Sequence, residues 1–425
     1  MVTSIAEVKL WGKTLGAVAW DSERSLASFE FVPEYDSSLW DIAPLTMPRD
    51  DNQRIFSFPN LNRETYHGLP GLLADSLPDR FGSALLDAWL AKQGRAEVNP
   101  VERLCYIGRR GMGALEFEPA QEALSQEMKS LEIDAIVSLA QDILNERKTL
   151  SGNLSNHPNE TLSDIIRIGT SAGGARAKAV IAYNRQTGEV KSGQLDLPEG
   201  FEHYILKLDG VTNDALGDPK GYGRIEYAYY LMAKAAGITM MESQLLEEGE
   251  RAHFLTKRFD RVDNQKLHMQ TLCGIAHYDY NQPSLYAYEQ AFQVMRRLRL
   301  PYPDAEELFR RMVFNVMAKN RDDHTKNIAF LMDRQGKWSL APAYDVTFAF
   351  DPMNKWMSVH QLSVNGKREH ITTEDFLMVA KAMNIKKAHK IIDQVSGAVF
   401  SWNEFANAAE IPENQASEMQ RMIKL

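Results

Sequence analysis

Asp322 stands five residues before Asn327 in the run Asn320-Arg321-Asp322-Asp323-His324-Thr325-Lys326-Asn327, and Asp345 follows in Ala343-Tyr344-Asp345. Phosphoryl transfer asks three things of a protein: an acceptor for the proton of the attacking hydroxyl, oxygen ligands for Mg²⁺, and cations near the phosphates. Asp322 suits the first task. Asn327 and Asp345 suit the second, because Mg²⁺ is a hard cation that prefers oxygen. Asp323 competes with Asp322 for the base, and the spacing to Asn327 favours Asp322. Between the two metal candidates lie an expected strand (328–332), a turn (333–336) and a second strand (338–341). Such a hairpin would return the chain beside Asn327 and deliver Asp345 to the same place. The pattern points to a phosphotransferase using ATP and Mg²⁺.

Lys207 is the candidate for the phosphate cation. In the expected strand 203–208 it shares a face with Ile205, opposite Leu206 and Leu208. A lysine among apolar neighbours needs a carboxylate or an anion. Glu226, near the start of a helix expected over 225–236, would pair with it, and a carboxylate there also suits the helix dipole. Upstream, Gly169-Thr170-Ser171-Ala172-Gly173-Gly174-Ala175-Arg176-Ala177-Lys178 precedes a strand. Small residues let backbone N–H groups approach phosphates, and Arg176 and Lys178 add charge. The stretch matches neither a Walker loop nor the usual Gly-rich kinase loop.

These residues must be positioned by ordinary elements. Residues 1–35 read as short strands around a Gly12-Lys13 turn. A helix-rich piece covers 72–93, a strand pattern resumes at Tyr106-Ile107-Gly108, and 121–150 reads as helical. The turn-rich stretch 151–160 is the expected main boundary. Further strands are expected at 179–183 and 254–259. Asp304-Ala305-Glu306-Glu307 resembles a capping box that opens a helix over 305–319. The expected organisation is three parts, 1–150, 151–256 and 257–425, in an α+β fold with a β-rich N-terminal lobe and a helical C-terminal lobe.

The 425 residues carry a net charge of -9, which argues against tight DNA binding by this chain alone, since phosphate neutralisation needs clustered Lys and Arg. Two cysteines, Cys105 and Cys273, give no disulfide framework and no cysteine zinc site. Neither a leader-type N-terminus nor a bilayer-length apolar run is evident. A cytoplasmic chain without a membrane partner is the expectation.

Taken in order, these motifs resemble the HipA family of toxin kinases. The family's loop, strand lysine, hinge, catalytic loop and metal motif correspond to Ser171-Ala172-Gly173-Gly174-Ala175, Lys207, Arg258-Phe259-Asp260-Arg261, Asp322-Asp323-His324-Thr325-Lys326-Asn327 and Tyr344-Asp345. Gly68-Leu69-Pro70-Gly71 and Leu77-Pro78-Asp79-Arg80-Phe81-Gly82 resemble its leading subdomain. The resemblance implies a bilobal kinase-like fold with Asp322 as catalytic base and Asn327 and Asp345 as metal ligands. It places Lys207 and residues 173–178 on phosphates, and Lys257, Arg258, Phe259 and Asp260 at the adenine hinge, with backbone groups reading the base. His324, Lys326 and Tyr344 would contact the nucleotide or brace the loop. Ser171, with Thr170 as a second hydroxyl, matches an autophosphorylation position that would switch the kinase off.

It further implies phosphorylation of serine in a protein substrate, an aminoacyl-tRNA synthetase in known members, with growth arrest and persistence. The implied partner is a small helix-turn-helix antitoxin that supplies the DNA contact. Two rival readings use the same residues: a kinase acting on a small molecule, and a non-catalytic kinase-fold co-repressor.

Overall fold

The structure is a computed structural model that describes residues 3–35, 40–48, 53–95, 98–120, 132–146, 176–192, 196–211, 221–283 and 285–423. The chain divides into two compact units. The first gathers Met1–Trp40, Arg49–Gly223 and Gln244–Met269; the second gathers Asp41–Pro48, Arg224–Ser243 and Gln270–Leu425.

The first unit holds two antiparallel five-stranded sheets. One runs in the order β4 (Ile55–Phe56), β3 (Leu26–Phe31), β2 (Lys13–Asp21), β1 (Ile5–Leu10), β5 (Leu115–Glu118). Leu10 pairs with Lys13, so Trp11-Gly12 is a two-residue hairpin loop. Both residues have positive φ, 49° and 79°, as a turn matched to the twist of the strands requires.

The other sheet runs in the order β7 (Val190–Ser192), β6 (Lys178–Tyr183), β8 (Glu202–Lys207), β10 (Arg251–Lys257), β9 (Ser243–Glu248). Alternation along β8 sends Tyr204 and Leu206 to one face and Ile205 and Lys207 to the other. Tyr204, Leu206, Ile181 and Leu255 are fully buried in one cluster with Leu85 and Trp89 of α3 (Arg80–Lys92) and Ile136 and Ala140 of α5 (Ile133–Glu146). Each such side chain contributes about 1.5–3 kcal/mol on burial, which fixes the register of the strand. Lys207 is thereby held on the opposite face. Lys178 on β6 and Phe254 on β10 are its direct partners across the ladder.

The second unit is mostly helical. Helix α6 (Tyr222–Ala235) enters it from Arg224 onward. Tyr229 of α6 is fully buried, its ring edge-on to Phe314 and Trp402 and its hydroxyl donating to the Ala318 carbonyl. Helix α9 (Tyr302–Met317) packs on α11 (Ala388–Phe400). The hairpin β14 (Ala329–Met332) and β15 (Trp338–Leu340) stands where the sequence places it.

The α+β reading holds, with a β-rich N-terminal region and a helical C-terminal region. Two local expectations are corrected. Tyr106-Ile107 is not strand but the last turn of α4 (Pro100–Ile107). Asn99 caps this helix by accepting from Glu102 N, Pro100 suits its first turn, and Gly108 ends it at φ 55°. Asp304 opens no capping box, because α9 already begins at Tyr302 after Pro301. Its carboxylate instead accepts from the Leu340 backbone N–H at 2.9 Å. The expected boundary at 151–160 lies outside the described residues.

Candidate active site

The loop from Asn320 to Asn327 is irregular, so its polar backbone must be satisfied piece by piece. Arg321 N donates to Ala349 O at 3.0 Å, and Asn320 N to Asn315 O at 2.9 Å. The short 3₁₀ turn Thr325–Asn327 is capped by the His324 ring, which accepts from Lys326 N at 3.2 Å. Asn327 closes the loop: its Nδ2 donates to the Asp322 carbonyl at 2.7 Å. That bond fixes the amide orientation, because a carbonyl only accepts. The Oδ1 of Asn327 is therefore turned away from Asp322.

The two neighbouring aspartates differ sharply. The Asp322 side chain is 50% exposed, with His324 Nε2 3.6 Å from its Oδ1. Asp323 is buried and accepts from the Tyr288 hydroxyl at 2.9 Å, from His360 Nδ1 at 3.0 Å and from Gln361 N at 2.8 Å. Burial pushes the Asp323 carboxyl up, but the His360 ring and these hydrogen bonds outweigh it and hold the group below its usual range. The chain continues outward as Asn315 Nδ2 to the Tyr288 hydroxyl and Asn320 Nδ2 to Asn315 Oδ1. Asp323 is thus a brace beneath the loop. None of Asn315, Tyr288, His360 and Gln361 was singled out by sequence reasoning. They are scattered over 288–361, and no spacing links them.

Asn327 and Asp345 line one small cavity together with Asn320, Asp323, Arg311 and Tyr344. Asp345 sits at φ 52°, a left-handed backbone that an Asp tolerates better than most residues. Tyr344 donates its hydroxyl to the Lys326 carbonyl, which ties the Tyr-Asp segment to the catalytic-type loop. Arg311, which also lines the cavity, donates to Glu307 at 2.9 Å and to the Ala341 carbonyl. Among the described residues no cluster of three His, Cys, Asp or Glu side chains is placed to hold a metal. Two protein oxygens, one amide and one carboxylate, still fit Mg²⁺, which usually keeps several waters and takes phosphate oxygens to complete its shell.

The remaining candidates belong to the first unit, apart from Glu226, which is buried in α6 of the second. Lys207 is half-buried with its ammonium 5.8 Å from the Phe254 ring centroid, and Lys178 beside it is 5% exposed. Arg176 stacks on the Tyr222 ring at 3.4 Å, and Ala177 O accepts from Leu208 N. Ser171, Gly173, Gly174 and Ala175 lie outside the described residues, as does Thr170.

The side chains of the expected hinge are engaged inside the first unit. Asp260 is fully buried and accepts from Arg258 Nε and Nη2, from Arg261 Nη1 and from Gly113 N, all within 2.7–2.9 Å. Both guanidiniums also donate to the Gly111 carbonyl. The side chains of Arg258 and Asp260 are thus spent on clamping the 111–113 loop, and Asp260 has no open side for a nucleotide. Lys257 pairs with Glu202, and Phe259 is half-buried.

The family model for the HipA N-terminal domain matches residues 6–118, and that for the HipA-like C-terminal domain matches residues 170–403. This chain belongs to the HipA family. Its structure is similar to a chain of the Shewanella oneidensis MR-1 toxin–antitoxin complex of HipA, HipB and operator DNA, with a TM-score of 0.67 and 14% identity over 99% of this chain and 95% of that one. The likeness establishes a HipA-like fold. A Haemophilus influenzae protein named "Putative kinase" is 27% identical over 170 residues, 37% of this chain. The chain spans about half the length of that relative, 48%. The match to the proinflammatory kinase CtkA of Helicobacter pylori is weaker, with a TM-score of 0.34 and 14% identity over 58% of this chain and 94% of that one. No helix among the described residues is long and apolar enough to cross a membrane.

Proposed function

We propose that this HipA-family protein is an ATP- and Mg²⁺-dependent serine/threonine protein kinase that acts as a growth-arresting toxin. One arrangement carries the reading. Asn327 fastens the backbone carbonyl of Asp322 and leaves its carboxylate exposed, while Asn327 and Asp345 open on a common cavity.

The chemistry follows from those positions. The acceptor hydroxyl gives its proton to the Asp322 carboxylate as its oxygen forms a bond to the γ-phosphorus. The bond from that phosphorus to the bridging oxygen breaks, and ADP leaves. His324, 3.6 Å from Asp322, helps to orient the carboxylate. Asn327 Oδ1 and the Asp345 carboxylate would hold Mg²⁺, which when bound neutralises phosphate charge. Lys207, with Lys178 across the ladder, is the cation that the family resemblance assigns to the phosphates.

The substrate is a serine or threonine in a protein of the translation apparatus, an aminoacyl-tRNA synthetase by family resemblance. The partner is a helix-turn-helix antitoxin that carries the DNA contact, as HipB accompanies HipA and operator DNA in the Shewanella complex. Ser171 is the proposed site of inactivating autophosphorylation, since a phosphate there adds close to two negative charges to a segment that the family resemblance assigns to phosphate binding. Intact mass of protein expressed alone checks that assignment, and phosphate confined to other residues would refute it.

The deciding experiment expresses the wild-type chain and Asp322→Ala, and follows growth, ATP turnover and the cellular phosphoproteome. Wild type arrests growth and raises phosphoserine or phosphothreonine on a translation protein, while the folded variant does neither. Arrest undiminished in the variant, or no ATP turnover by wild type, overturns the reading.

A further inference from the structure

Lys326 is held at both ends. Its carbonyl accepts the Tyr344 hydroxyl, and its ammonium sits over the Tyr280 ring, 4.5 Å from the centroid. No carboxylate among the described residues forms an ion pair with it. An aromatic face attracts a cation through the ring quadrupole and leaves its charge intact. A carboxylate would cancel that charge. Lys326 is therefore a fixed, half-buried cation whose N–H groups remain available to water or to an anion.

Tyr280 is itself well anchored. The stretch Tyr278-Asp279-Tyr280 is fastened to the loop by Thr325, whose hydroxyl donates to the Tyr278 carbonyl at 2.6 Å. Asp279 is buried, its backbone N–H donating to the Tyr286 hydroxyl and its carboxylate accepting from Gln282. Tyr278 stacks on Tyr286 at 4.7 Å. The Tyr280 ring also lies 5.6 Å from the His324 ring, so one aromatic plate touches two side chains of the loop that carries Asp322. No hydrogen bond of its hydroxyl is seen among the described residues. The ring, rather than the OH, is what this residue brings.

We infer that Tyr280 is a positioning residue for phosphoryl transfer: its ring holds the Lys326 ammonium, un-neutralised, where a triphosphate anion binds beside Asp322. This rests on the kinase reading above. A long lysine chain otherwise loses rotamer freedom each time it engages an anion. Ring contact removes part of that cost before the nucleotide arrives.

The test compares Tyr280→Phe, Tyr280→Leu, Lys326→Met and the double variant Tyr280→Leu/Lys326→Met by steady-state ATP kinetics, with thermal unfolding of each. Tyr280→Phe retains wild-type kinetics. Tyr280→Leu loses about 5- to 30-fold in kcat/KM for ATP, a loss of the size expected for one half-buried cation–π contact. In the Lys326→Met background the same leucine substitution changes kcat/KM less than 2-fold. That cycle separates the lysine from the His324 contact and from general damage to the fold. An undiminished kcat/KM in Tyr280→Leu, a loss of equal size in both backgrounds, or a loss in Tyr280→Phe as large as in Tyr280→Leu overturns the inference. Absence of ATP turnover by wild type would instead overturn the kinase reading on which it stands.

Discussion

Asp322 and Asp323 share a peptide bond, yet the first keeps half its side-chain surface open and the second keeps 1%. Exchange of each for Asn separates their roles. Asp322→Asn leaves stability within about 0.5 kcal/mol and lowers phosphoryl transfer by roughly 10²- to 10⁴-fold, the range for a lost general base. Asp323→Asn lowers stability by about 2 kcal/mol, because it weakens hydrogen bonds to a buried charge. Denaturant unfolding and single-turnover kinetics on both variants check this, and a reversed pattern would make Asp323 the base.

The depressed carboxyl of Asp323 also sets a pH sign. Its stabilising contribution is fully present above the ordinary carboxylate pKa of about 3.9 and fades as pH falls through its lower folded value. Asp323→Asn therefore flattens part of the acid limb of the stability profile. An acid limb identical to wild type would show that the group is not charged in the fold.

Asp260 is the counter-charge of two buried guanidiniums. Asp260→Asn strands them and costs about 3–5 kcal/mol, read as a drop in the unfolding midpoint. Its carboxyl is held far below the usual range: burial raises it, and Arg258 and Arg261 overcome that. The cluster therefore survives well below neutral pH. The loss in the variant is expected at pH 7 as fully as at about pH 5.

Lys266 shifts in the same direction as Asp260 for the opposite reason, since here burial wins over the partner charge. Burial pulls its ammonium down to about 8, with Glu116 at 2.8 Å offsetting part of that. Between that value and the ordinary lysine pKa, the unfolded chain binds the extra proton, so stability gains with rising pH. Urea unfolding of wild type and Lys266→Met at about pH 7 and about pH 10 tests the sign. Wild type should gain on the variant at the higher pH.

Gly223 opens α6 against β10. A Cβ there would lie 1.8 Å from the Ala252 carbonyl oxygen, and no side-chain rotation relieves a clash with backbone. Gly223→Ala is expected to cost about 1–3 kcal/mol or more. A melting temperature equal to that of wild type would show that the helix start can shift.

The parts of the fold legible in the sequence are those set by short-range pattern. The strand around Lys207 alternates as written, because Tyr204 and Leu206 have a hydrophobic cluster to fill. The hairpin after Asn327 follows from two apolar runs around Asp333–Gly336. Tyr106 misled because its apolar neighbours suit a strand as well as a helix; the Asn99-Pro100 start decides, and it stands several residues earlier. The juxtaposition of Asp322 and Asn327 was legible because the two are close in sequence. The Tyr288, His360 and Gln361 braces were not, since only tertiary folding brings them to Asp323. The burial of Asp260 between two guanidiniums was not legible, because a motif gives order along the chain and not direction of the side chain.

The chain passes between its two units at residues 40/41, 48/49, 223/224, 243/244 and 269/270. No single protease cut can release either one as an intact piece, and a gene fragment ending near either family-model boundary would omit strands or helices that its own core requires. Half-length expression is therefore a poor route to studying the two units one at a time. Point substitutions in the uncut polypeptide are the experiments its topology permits.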